Sequence, residues 1–226
     1  KYLDDRLINQ PAAALHLVAK EVIRCSDLVR EMLEGAKNGN AKDYVDVKDI
    51  VEKAQIENEL NESITEYLSA MYSEGVLTEE QAEQSTGIMY VLCDIDRMAS
   101  LCREIAENVM NQSGKKAKYS KEALKEVKKS VNVILEMYEE AMHAIITGED
   151  IPVENIQSTK EEVLLLVENM RKSHAQRVAK KKCDAKLTVA YNNIFHDIAR
   201  MGNSCVNLID IALNHLTFQV FLADED

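Results

Sequence analysis

The chain has 226 residues, enough for one large or two small domains with a real core. Two prolines, seven glycines, three phenylalanines and no tryptophan favour long helices over sheets. A formal net charge of −12 repels a phosphate backbone and argues against nucleic acid as a partner, and no apolar run approaches the ~20 residues of a membrane span.

Residues 1–10 form a short lead-in, and Pro11 is a first-turn residue of the first helix. The stripe of that helix is Leu15, Val18, Val22, Cys25, Val29 and Met32, stepping by three and four, and Gly35 with the Asn-Gly-Asn at 38–40 ends it. The second helix is expected from about Asp43 to Glu74, with Ile50, Ala54, Leu60, Ile64, Tyr67 and Met71 apolar and Gly75 as its stop. Thr78 followed by Glu79, Glu80 and Gln81 reads as a capping box opening the third helix, which fades at Gln112. Ser113 to Lys118 is short, polar and contains glycine, the best internal boundary. The fourth helix carries Leu124, Val127, Val131, Ile134, Tyr138, Ala141 and Ile145 and stops at Gly148. Pro152 opens a fifth, expected to reach about Lys182, and a sixth starts near Asp184. The tail from Ala223 is acidic and reads as loose.

One stretch is used twice. Tyr90 to Glu107 and Asn193 to Asp210 overlay with Asp94/Asp197, Ile95/Ile198, Arg97/Arg200, Met98/Met201 and Cys102/Cys205 identical. The apolar series Ile88, Val91, Ile95, Met98, Cys102, Ile105, Val109 repeats as Tyr191, Ile194, Ile198, Met201, Cys205, Leu208, Ala212. Helices of ~25–34 residues are ~37–50 Å long, and short connections make them antiparallel neighbours. The fold class is therefore all-α: a tandem duplication of an antiparallel three-helix bundle, with residues 1–114 as the first bundle and its lead-in and 115–226 as the second. Five cysteines form no CxxC pair, and Cys25, Cys102 and Cys205 lie on apolar stripes, where a thiol is a small hydrophobe. That points to a reducing compartment without a disulfide framework. The chain begins at Lys1, with no initiator Met and no signal peptide, and reads as a piece of something longer.

The lead-in YLDDRLINQPAAALHLVAKEVIRCSDLVREML resembles the start of the PhoU-like domain found at the C-terminus of sodium/phosphate cotransporter-family membrane proteins. SITEYLSAM (Ser63 to Met71), MRKSHAQRV (Met170 to Val178) and HDIARMGNSCVNLID (His196 to Asp210) are similar to other signatures of that family, in the same order. The resemblance implies a double three-helix bundle on the cytoplasmic face of the cell membrane, attached to a preceding transporter domain, and a regulatory role through conformational coupling. Its rivals are a freestanding metal-binding phosphate-signalling regulator and a plain helical scaffold. A homo-oligomer is compatible with each.

The family's chemistry carries over poorly. PhoU proteins typically carry Glu-Arg-Ile-Gly-Asp in the third helix of each bundle, and those acids, with acids of the neighbouring helix, bind metal. Here the matching positions are Asp96 and Ser100 in the first copy and Ala199 and Asn203 in the second. In the second helix the usually acidic position aligns with Asn58. The third-helix positions fall on heptad sites b and f, expected on the outside of the bundle. The expectation is no metal site and no cofactor. Restoring Ala199→Glu and Asn203→Asp would need a fifth-helix acid such as Glu161 or Glu168 within reach.

His174 and Arg177 resemble the family's His-x-x-Arg, but Val163, Val167, Met170 and His174 step along one seam, so His174 reads as a structural histidine. Residues 171–182 hold Arg171, Lys172, Arg177, Lys180, Lys181 and Lys182. They read as a solvated helix C-terminus or as a contact with anionic lipid or the partner membrane domain. No Ser/His/Asp set, Gly-rich phosphate loop or Cys/His cluster is visible, and no enzyme is expected.

Overall fold

The computed structural model describes residues 2–38, 44–110, 119–152, 154–214 and 216–223, the side chains of residues 44–46, 110 and 156 aside. It is all-α. Six long helices run in order: α1 (Pro11–Asn38), α2 (Tyr44–Glu74), α3 (Glu79–Met110), α4 (Lys121–Thr147), α5 (Glu154–Ala179) and α6 (Thr188–Leu213). A single turn, α7 (Gln219–Leu222), follows, and 3-10 turns precede α1 at Asp5–Leu7 and α6 at Ala185–Leu187. There is no strand, and no helix is long and apolar enough to cross a membrane, among the described residues. The boundary expected at Ser113–Lys118 lies outside the described residues, as does most of the acidic tail.

Local signals set most of the helix ends. Thr78 and Gln81 close the capping box in both directions: the Thr78 N–H donates to Gln81 Oε1 at 3.0 Å and the Gln81 N–H to Thr78 Oγ1 at 3.2 Å. Ser120 caps α4 by accepting from the Ala123 N–H at 3.1 Å. Gly148 ends α4 in the left-handed region, φ 74°, with its N–H on the Ala144 carbonyl. α1 runs through Gly35 and ends at Asn38, the first residue of the expected Asn-Gly-Asn stop. One end differs from expectation. α5 stops at Ala179 rather than Lys182, because Lys181 takes a left-handed φ of 55° and the Lys182 N–H reaches back to the Arg177 carbonyl at 2.8 Å. That six-to-one bond closes the helix as a Schellman turn.

The apolar stripes are the core. All six stripe residues of α1 and all six of α2 are buried, and Ile95 and Ile198, one position of the repeated stretch, are both fully enclosed. Helices α1, α2 and α3 pack on one another; α6 packs on both α4 and α5, while α4 and α5 touch only slightly. Contacts of α1 with α4 and of α3 with α6 join the two sets into one continuous core. Across the join, the Tyr138 hydroxyl of α4 donates to the Ser26 carbonyl of α1 at 3.2 Å. The C-terminal turn folds back too: Phe218 donates its N–H to the Ile145 carbonyl, and the Phe221 carbonyl lies 2.6 Å from His16 Nδ1.

α5 leans on α6 almost alone. It therefore leaves Leu164 and Leu165 exposed, and it approaches α6 closely where it does touch. A Cβ on Gly202 would lie 2.5 Å from both methyl carbons of Val163. The same position of the first copy is Ala99, which is buried without difficulty. Gly202→Ala is expected to cost ~1–3 kcal/mol by overpacking. Denaturant unfolding measures it, and an unchanged midpoint would mean that α5 does not sit this close.

Candidate functional site

Most residues that α2 turns inward are apolar, and one is a carboxylate. Glu57 stands between Ala54 and Leu60 on the buried stripe. It is 0% exposed, and neither of its carboxylate oxygens has a hydrogen-bond partner. Asp96, half-buried, faces it from α3, and Cys25 on α1 is a further neighbour. Burial first, and the Asp96 charge second, push the Glu57 carboxyl up to about 8. Glu57 is thus a neutral carboxylic acid at neutral pH. Burial, with Glu57 and Glu21 nearby, likewise holds the Cys25 thiol protonated. Glu21 is also fully buried on α1, but it is anchored: Oε1 accepts from the Tyr2 N–H at 3.2 Å, and Oε2 lies 3.6 Å from Arg24 Nη1.

This arrangement corrects two expectations. Asn58 is exposed and donates to Glu62 Oε1 on its own helix, so it is not the acid of α2; its neighbour Glu57 is. Asp96 and Ser100 do not stand on the outside of the bundle but are half-buried. The reason is that α3 packs against α1, α2 and α6, so a wide arc of it is covered rather than a narrow seam. In the second copy Ala199 is half-buried and Asn203 exposed. Glu161 and Glu168 are engaged on α5 itself, with Gln157 and Lys172.

Glu57 and Asp96 supply two carboxylates where a hard cation takes about six oxygens. Among the described residues no group of three or more His, Cys, Asp or Glu side chains gathers as a ligand set. The donor set therefore fits a proton held on Glu57 better than a metal ion.

The second unit contains a different polar cluster, centred on Tyr191. His174 lies against the Tyr191 ring at 4.7 Å between centroids and is 4% exposed. Arg177 also lies over the Tyr191 ring, 5.6 Å from its centroid, with Nη2 2.9 Å from Glu126 Oε2 and Nη1 donating to Ser173 Oγ at 2.7 Å. Tyr191 donates to the same Glu126 oxygen at 3.1 Å. Burial and the Arg177 charge lower the His174 pKa, so this imidazole is neutral at neutral pH. His174 Nδ1 is 4.0 Å from Cys183 Sγ. The basic run accordingly splits. Arg177 points inward, Lys172 pairs with Glu168 at 2.5 Å, and Arg171, Lys180, Lys181 and Lys182 are exposed.

No protein-family model matches the chain. Over 176 residues, 77% of its length, it is 24% identical to the "Putative inorganic phosphate export protein YjbB" of Salmonella typhimurium LT2. The identity and coverage are the same for the proteins of that name in Escherichia coli K12 and Shigella flexneri. The chain spans about a third of the length of these curated relatives, 32%.

Proposed function

We propose that this chain is the regulatory or accessory module of an inorganic phosphate transporter-like membrane protein, lying at the cytoplasmic face and biasing transport by conformational coupling. One observation carries the reading: the match to a phosphate export protein extends over 77% of this chain but only 32% of the relative. A module that covers a third of a transporter leaves the rest to form the path for the anion. The all-helical build of two joined three-helix units suits a mechanical role. Sodium coupling and the exposed cations Arg171 and Lys180–Lys182 meeting anionic lipid are finer parts of the same reading.

The coding sequence upstream of Lys1 is the first test. Several hundred residues of hydrophobic spans are expected there, and an initiator codon just ahead of Tyr2 would sink the proposal. The second is phosphate efflux from cells expressing the complete gene product with and without residues 11–222. Deletion is expected to change the efflux rate severalfold while leaving the membrane portion inserted. An unchanged rate would return the module to the status of a scaffold.

A further inference from the structure

The two copies of the repeated stretch meet each other. α3 and α6 cross antiparallel, so that Asp94 opposes Asn207, and Asp197 faces Glu104. Asp94 and Asp197 are one position of the repeat, and Glu104 and Asn207 are another. The same contact is therefore made twice, about an approximate two-fold axis between the copies.

The two versions differ in chemistry. In the first, Asn207 Nδ2 donates to Asp94 Oδ1 at 3.3 Å, Arg97 Nη1 reaches the same oxygen at 2.9 Å, and Ser204 stands beside them. In the second, Glu104 replaces the asparagine and has no N–H to offer, and Leu101 replaces the serine. Arg200 Nη1 stays 3.8 Å from Asp197 Oδ1, and Asp197 Oδ2 is buried without a hydrogen-bond partner. His196, exposed on α6, is a further neighbour of Asp197. One half of the joint is a bonded carboxylate–amide pair; the other sets two carboxylates against each other, one of them 4% exposed.

We propose that the α3–α6 crossing is a proton-responsive joint between the two three-helix units, in which Asp197 and Glu104 repel once both are ionised while Asp94–Asn207 holds the other half closed. The joint opens at one end and pivots on the other. The inference rests on the repeat geometry and is independent of the transport reading. The sign follows from Asp197, whose carboxyl is raised to about 6 by burial first and Glu104 second, with Arg200 and His196 acting against them. An acid raised in the folded state stabilises fully below the ordinary carboxylate range and loses that contribution as pH rises through about 6. Acid closes the joint, and neutral pH loosens it.

The test is amide hydrogen exchange of the full chain at pH 4.5 and 7.5, comparing Glu104 with Glu104→Asn, in a Glu57→Gln background so that Glu57 does not titrate; Asp94, whose carboxyl burial also raises against the pull of Asn207, Ser204 and Arg97, is the same in both proteins and cancels in the comparison. Glu104 is exposed, and Glu104→Asn recreates the amide that already works at position 207. At pH 7.5 the variant's α3 and α6 amides are expected to be about tenfold better protected, the equivalent of one pK unit of coupling, and the gap should close by pH 4.5. Asp197→Asn should give the same pattern. Equal protection at pH 7.5, or a gap that persists unchanged at pH 4.5, would overturn the proposal.

Discussion

Glu57→Gln is expected to leave the protein's stability near that of the parent at pH 4.5 and to raise it by several kcal/mol at pH 8.5. The cause is the burial of Glu57 with both oxygens unpartnered and Asp96 facing it. Below about 4.5 the acid is neutral whether folded or not, and it contributes nothing to the difference. As pH rises the unfolded chain releases the proton and the folded one does not. Stability then falls by up to ~1.4 kcal/mol per pH unit until the folded carboxyl ionises at about 8. A glutamine cannot ionise and removes that slope. Asp96→Asn should shorten the window from above, because it takes away the charge that opposes Glu57 ionisation and leaves only burial. Urea unfolding at half-unit pH steps reads both effects. Parallel curves for the parent and Glu57→Gln from pH 5 to 8.5 would show that Glu57 is hydrated and ionised in solution.

That site was half legible in the sequence. The stripe of α2 steps from Ile50 and Ala54 to Leu60 and Ile64, and position 57 is where the three-four spacing puts an inward residue. A glutamate on that stripe is the signal, and alignment on Asn58 obscured it. The relation to Asp96 was not legible, because heptad lettering treats a helix as having one seam. α3 has three neighbours, so residues lettered as outward are half-buried, and Asp96 among them faces α2. The repeat was legible at once, down to the burial of Ile95 and Ile198. What the overlay could not disclose is that the two copies pack on each other, which turns the difference between Glu104 and Asn207 from a surface substitution into a difference across an interface. Likewise, six cations between 171 and 182 look like one basic surface until α5 is seated on α6. Arg177 then falls on the inward face with His174, three residues before it.

Arg177→Met is expected to cost about 3 kcal/mol. The guanidinium is 9% exposed as a side chain and serves Glu126, Ser173 and the face of Tyr191 together. Removing it strands Glu126 beside the Tyr191 hydroxyl, and stranded charges account for most of the loss when a buried pair is broken. Glu126 is 28% exposed and can turn partly to water, which holds the loss at the lower end of the range. The methionine keeps most of the volume over Tyr191, so the loss reports charge rather than a cavity. Adding Glu126→Gln to Arg177→Met should recover a sizeable part of it, since an amide can remain against Tyr191 without a counter-charge. A second reading of the same pair comes from His174. Its pKa is lowered by burial first and by the Arg177 charge second, while Glu126 acts in the opposite direction. Arg177→Met should therefore move the His174 titration upward, toward the ordinary imidazole range, and the double variant should bring it part of the way back down. Imidazole NMR shifts follow that titration residue by residue. A loss under ~1 kcal/mol with His174 unmoved would place Arg177 in solvent, as an ordinary surface cation.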